Sequence, residues 1–99
     1  MLNINKEVNG KSCVYYLEGR LDTTTAPQLE GDIKESITDI NSLVMDLSKL
    51  EYISSAGLRV LLSAQKTMNK QGSMVVRNVR DEVNEIFDVT GFADILTIE

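Results

Sequence analysis

Apolar positions along the chain follow two periods in turn. Leu2, Ile4 and Val8 alternate with polar residues, with Lys6 breaking the face, which predicts a first, edge strand. "VNGK" (Val8 to Lys11) carries an Asn-Gly pair suited to a tight hairpin. A second strand follows from Ser12 to about Leu21, with Cys13, Tyr15, Leu17 and Leu21 on one face. The period then becomes helical. Ala26, Leu29, Ile33, Ile37 and Ile40 share one stripe, with Pro27 in the first turn and a preceding threonine as the expected cap. "SLVMDLS" (Ser42 to Ser48) reads as a central strand buried on both faces. Leu58, Leu61, Leu62, Gln65 and Met68 mark a second amphipathic helix that stops at Gly72. "SMVVRN" is another strand. Val79, Val83, Ile86, Phe87 and Thr90 give a third helix, closed by Gly91 and with Asp81 and Glu82 in its first turn, where the helix dipole favours them. "ADILTIE" reads as a final strand.

The predicted order is β-β-α-β-α-β-α-β. The fold class is α/β: a mixed, mostly parallel sheet with an initial antiparallel hairpin and helices packed on it. The 99 residues suit one domain spanning 1–99.

Charge and residue usage then remove whole classes of function. The net charge is −5 and the ten basic residues are scattered, so no basic cluster attracts a phosphate backbone or an anionic membrane, and no nucleic acid is expected as a partner. No eighteen-residue apolar run is present and "MLNINKEVNG" is unlike a signal peptide, so a cytoplasmic location and no membrane insertion are expected. A single cysteine, Cys13, fits a reducing compartment and reads as a buried core thiol. The chain has no histidine, which removes histidine triads and most zinc sites. Its closest glycines, Gly10 and Gly19, are too far apart for a phosphate-binding loop. Asp81, Glu85 and Asp88 sit at helical spacing and read as a solvated face, not a metal site. No enzyme active site, cofactor or metal is therefore expected, and the patch-poor acidic surface suggests a monomer.

The stretch "YISSAGLRVLL" (Tyr52 to Leu62) opens the second helix. A helix cap explains two serines there: a serine oxygen accepts a bond from an unpaired helical N–H, worth about 1 kcal/mol. Other features ask for more. Gly57 stands in the first helical turn, at a cost of about 1 kcal/mol relative to alanine, as though something approaches the backbone closely. Ala56 adds little bulk. Tyr52 and Ile53 either tuck beneath the helix or belong to a contact surface. A phosphate on Ser55 would meet free N–H groups and a favourable dipole, adding about −1.5 to −2 charges without unfolding the domain. Asp46, read as the end of the preceding strand, either simply closes that strand, or opposes the phosphate or positions a partner's cation.

"VMDLSKLEYISSAGLRVLLSAQK" resembles the signature of the STAS domain family, the anti-sigma factor antagonists. "YLEGRLDTTTAPQLE" resembles the family's Gly-x-Leu-Asp block, and "FDVTGFADILTI" its closing block, so the likeness spans essentially the whole chain. Alignment on Gly57 and Leu58 puts the family's phosphorylated serine at Ser55. Ser54 takes the place of a frequent aspartate, which removes a charge beside the acceptor, and Ala56 that of a second Ser or Thr. The resemblance implies a partner surface made by Asp22, Thr23 and Thr24 with Asp46, Ile53, Ser54, Ser55, Ala56, Gly57, Leu58 and Arg59. Many members continue into a further helix, so one edge or face is expected to be less covered here.

The resemblance implies an anti-sigma factor antagonist. Unphosphorylated, such a protein binds an anti-sigma factor that is also a serine kinase and so releases a sigma factor. Phosphorylation of the serine dismisses it, and a serine phosphatase resets it. The antagonist is the kinase's substrate and needs no cofactor. Two other readings stand beside this one: a STAS subunit acting as an assembly module in a membrane transport complex, and a small-molecule or nucleotide sensor.

Overall fold

A computed structural model describes residues 1–99. Strands β1 (Leu2–Asn9) and β2 (Ser12–Leu21) form the hairpin, followed by helix α1 (Ala26–Ser36) and a 3-10 turn over Ile37–Asp39. Strand β3 (Ser42–Ile53), helix α2 (Ser55–Gln71), strand β4 (Ser73–Arg77) and helix α3 (Asp81–Thr90) complete the alternation. The sheet has the order β1-β2-β3-β4, antiparallel between β1 and β2 and parallel thereafter. The expected mixed α/β class, with its opening hairpin, is the observed one.

One apolar core of 25 residues joins the sheet to all three helices. On β2 the inward positions are Cys13, Tyr15, Leu17 and Leu21, as the alternation predicts. Leu43, Met45 and Ile53 of β3, the partners of Cys13, Tyr15 and Leu21, are buried with them, as is Leu50 opposite Gly19, and Met74 and Val76 of β4 extend the same face. The stripes Ala26–Leu29–Ile33 and Leu58–Leu61–Gln65–Met68 pack against it. The other face carries Asn5, Val14, Tyr16, Glu18, Arg20, Val44 and Lys49, half-buried or exposed. β3 is central in the sheet, then, but is covered on one face only. Apolar residues crowd it because two register shifts change its phase: Leu47, Leu50 and Ile53 point inward at every third residue, not every second.

Lys6 sits on the core face of β1 for a specific reason. Its ammonium reaches Asp32 Oδ1 at 3.0 Å and Ser36 Oγ at 2.9 Å on α1. The fully buried Tyr15 donates its hydroxyl to the same Asp32 oxygen at 2.7 Å. Burial pushes the Tyr15 phenol well above its ordinary range, so it remains a donor. Charge thus replaces apolar packing where the edge strand meets the rim of α1.

The last segment departs from expectation. Gly91 takes a left-handed conformation (φ +81°) and Phe92–Asp94 form a short 3-10 turn. Only Ile98 then pairs with Val76, so "ADILTIE" supplies a single bridge beside β4 and no full strand. The turn consumes the residues a strand would need. Buried Gln65 fixes this tail by accepting the Thr97 N–H at 3.3 Å. At the hairpin, Asn9 pairs with Ser12, so the loop residues are Gly10 and Lys11. Gly10 has the positive φ (+64°) that the turn requires.

Removing only the buried hydroxyl isolates the tie between sheet and α1. Tyr15→Phe is expected to lower stability by about 1–2 kcal/mol, measured by urea denaturation, with no change in the denaturant slope.

Candidate functional site

The carboxyl ends of β2 and β3 lie side by side, with Leu21 paired to Ile53. The Ser54 N–H donates to the Leu21 carbonyl at 2.9 Å, closing the junction just before α2 begins. Ser54 has extended backbone geometry (φ −96°, ψ 175°), and its Oγ accepts from the Gly57 N–H at 3.4 Å. It is the N-cap of α2. Ser55 is the first helical residue and is exposed, and its hydroxyl makes no hydrogen bond within the chain. Two adjacent serines therefore do different things: one oxygen is committed to the helix, and the other is free for chemistry.

Gly57 answers to the core. A Cβ at this position would stand 2.7 Å from Leu21 Cγ and 2.9 Å from Ile53 Cγ1, both on fully buried side chains. The close approach is thus made by the sheet. Ile53 and Leu58 are also buried, at 1% and 2% exposure. These three residues, expected at the partner surface, hold the helix start from beneath and present no side chain to a partner.

The loop before α1 is tied just as closely. Asp22 Oδ1 accepts from the Thr24 N–H at 3.0 Å, the Thr24 hydroxyl at 2.7 Å and the Thr25 N–H at 3.2 Å. The Thr24 hydroxyl is the main reason the Asp22 carboxyl lies below its usual range. Thr25 occupies the cap position of α1, but its hydroxyl donates back to the Arg20 carbonyl at 2.9 Å, so no side chain caps the helix, and the Ala26 N–H donates to the Asp22 backbone carbonyl at 2.8 Å. Thr23 at the tip is exposed. It lines a groove of about 200 Å³ with Ala26, Pro27, Glu30, Ala56, Arg59 and Val60, between α1 and the start of α2. The fold therefore brings Thr23, Ala56 and Arg59 to one exposed groove beside Ser55.

Asp46 lies elsewhere. β3 continues to Ile53, so the carboxylate sits mid-strand and, at about 3.3 Å per residue, about 20 Å from the strand's end. It cannot oppose a phosphate on Ser55. Tyr52, likewise, is a strand residue whose ring lies 4.4 Å from the Arg20 guanidinium on the open face. Asp46 accepts from the Ser48 N–H at 3.0 Å, from Asn78 Nδ2 at 3.0 Å and from Arg77 Nε at 3.3 Å. Asn78 is in the left-handed region (φ +56°), so this carboxylate pins an irregular turn between β4 and α3. Burial alone would raise the Asp46 carboxyl, but the bonds from Ser48, Asn78 and Arg77 outweigh it and hold the group below its ordinary value. Its role is structural, which the sequence hid because only the partners reveal it.

No group of three or more His, Cys, Asp or Glu side chains is arranged to hold a metal. Cys13 is buried, and burial pushes its thiol up, away from a reactive thiolate. No helix is long and apolar enough to cross a membrane.

Two outcomes follow from these contacts. Gly57→Ala is expected to destabilise the fold by about 1–3 kcal/mol through overpacking, partly offset by alanine's better helix propensity. Chemical denaturation measures the net loss. Asp46 stabilises the fold fully above the ordinary carboxylate value of 3.8, and that contribution disappears as pH falls through its depressed folded value. An Asp46→Asn variant should therefore lose stability at pH 7 and show a flatter acid limb in a pH series of thermal melts.

The STAS domain model matches residues 3–99. The chain is 36% identical over 84 residues to BtrV of Bordetella bronchiseptica, covering 83% of this chain and 72% of that protein. It is 30% identical over 100 residues to the anti-sigma-B factor antagonist of Bacillus subtilis, covering 98% and 92%. Among solved structures, an anti-sigma factor antagonist from Mycobacterium paratuberculosis superposes with a TM-score of 0.88 at 26% identity, covering 99% of this chain and 85% of that one. The antagonist SpoIIAA has the same fold at 18% and 17% identity, with TM-scores of 0.82 for its unphosphorylated and 0.75 for its phosphorylated form. These alignments cover 100% of this chain and 88% and 91% of those chains. With a family model spanning nearly every residue and relatives matched along most of their length, this chain belongs to the STAS domain family.

Proposed function

We propose that this protein is an anti-sigma factor antagonist that binds an anti-sigma factor with serine kinase activity when unphosphorylated, and is switched off by phosphorylation of Ser55. The observation that carries the reading is the division of labour at the start of α2. The Ser54 oxygen caps the helix, whereas the adjacent Ser55 hydroxyl is exposed and unbonded. A kinase can take the free hydroxyl without dismantling the cap. The relatives named as anti-sigma factor antagonists support the same reading.

Asp22 and its threonines, Ser54, Ser55, Ala56 and Arg59 supply the exposed or half-exposed part of the binding surface. Ile53, Gly57 and Leu58 support it from within the fold, and Asp46, mid-strand and bonded to Ser48, Arg77 and Asn78, stands apart from it. The switch works through charge and bulk. Nothing in the core contacts the Ser55 hydroxyl, so a phosphate there changes what a partner meets and leaves the sheet–helix junction intact. A serine phosphatase would restore the binding form. The chain supplies no catalytic group to either step: it is the substrate in both, and it needs no cofactor.

Binding to the anti-sigma kinase, measured by calorimetry, tests this. Wild type and Ser55→Ala should bind alike, and Ser55→Asp should bind at least tenfold more weakly. Equal binding by Ser55→Asp and wild type would overturn the switch. A transporter subunit as the main co-purifying partner would favour an assembly role instead. Ser54→Ala should cost about 1 kcal/mol of stability and leave phosphorylation of Ser55 in place, as intact-mass analysis after treatment with kinase and ATP would show.

A further inference from the structure

The charges around Ser55 are distributed unevenly. The protein carries a net charge of −5, yet α2 contains no acidic residue; its charged side chains are Arg59, Lys66 and Lys70. Arg59 stands four residues after Ser55, on the same exposed helical row. It forms no ion pair, and the nearby charges are already engaged. Glu30 shares its groove but lies 3.7 Å from Lys34. Asp22 is bonded by Thr24 and Thr25 and lies 3.9 Å from Arg20. Arg20 in turn stacks on Tyr52. One guanidinium is left unpaired beside the free hydroxyl.

We propose that Arg59 is the positioning residue for phosphorylated Ser55: its guanidinium pairs with the phosphate one helical turn away and holds it against the groove. This rests on Ser55 being the modified residue. An anion preceding a cation by four residues is the favourable order along a helix, and guanidinium–phosphate pairs are charge-assisted and often two-pronged. The pair would alter the surface twice over. It adds the phosphate charge at the helix start, and it withdraws the one unpaired cation that lines the groove. A partner that used Arg59 as a counter-charge would lose it at the same moment.

The test needs no cognate kinase. Phosphoserine is installed at position 55 by genetic encoding, in wild type and in Arg59→Gln and Arg59→Lys backgrounds, with folding checked by circular dichroism. The phosphate is then titrated by phosphorus NMR at low salt. In wild type its second ionisation should fall about 0.15–0.4 pH units below that in Arg59→Gln, and Arg59→Lys should recover part of the difference. The Arg59 Nε–H resonance of wild type should also follow the phosphate titration, a readout that depends on no variant. Equal titration in wild type and Arg59→Gln, or an Arg59 resonance that does not respond, overturns the pairing. A cell extract with no phosphate on Ser55 would instead sink the functional reading, and the NMR result would still report on the pair.

Discussion

The site depends on one close approach. Gly57 brings the backbone of α2 down onto Leu21 and Ile53, the last residues of two adjacent parallel strands. No side chain could stand between them without displacing buried atoms. The Ser54 N–H bond to the Leu21 carbonyl and the Ser54 cap complete the joint. Helix phase is thereby set: Leu58 and Leu61 point into the core, and Ser55 and Arg59 point out. An exposed hydroxyl on a rigid mount is what a surface switch needs, because the modification can change the surface while the mount keeps the fold.

The second loop is held on the same logic. Asp22 gathers the N–H groups and hydroxyl at the start of α1, and Thr25 ties that start back to β2. Both loops leave the carboxyl ends of neighbouring strands, where open α/β sheets place their sites. The groove between them therefore has fixed walls, with Ala26, Ala56 and Val60 as small or apolar lining. Polar contacts within each loop leave Thr23, Ser55 and Arg59 as the groups with capacity for an outside partner.

Much of this was legible in the chain itself. The alternation on β2 and the stripes of the first two helices named most of the core residues, since period and burial are directly linked, whereas of the third stripe only Val83 and Phe87 are fully buried and Thr90 is exposed. The serine block was visible because Ser, Ala and Gly in succession are unusual at the head of an apolar helix. Four features were not legible. Register shifts in β3 lengthened that strand past Asp46, and a shift leaves no local mark in an apolar run. Gly57 read as an opening for a partner when the neighbouring atoms are Leu21 and Ile53, which are distant in sequence or precede the helix. Asp46 read as a site residue, though its charge is consumed by Ser48, Arg77 and Asn78, and such pairing is invisible without the fold. The final strand shrank to a bridge because the left-handed Gly91 starts a turn that the apolar pattern does not encode.

The most direct test of the central claim is site-resolved mass spectrometry of the protein isolated from its own cells, with its bound partners identified. The division between the two serines predicts phosphate on Ser55, none on Ser54, and an ATP-dependent kinase bound only to the unmodified form. Phosphate absent under every growth condition, or carried on Ser54 with Ser55 bare, would contradict it.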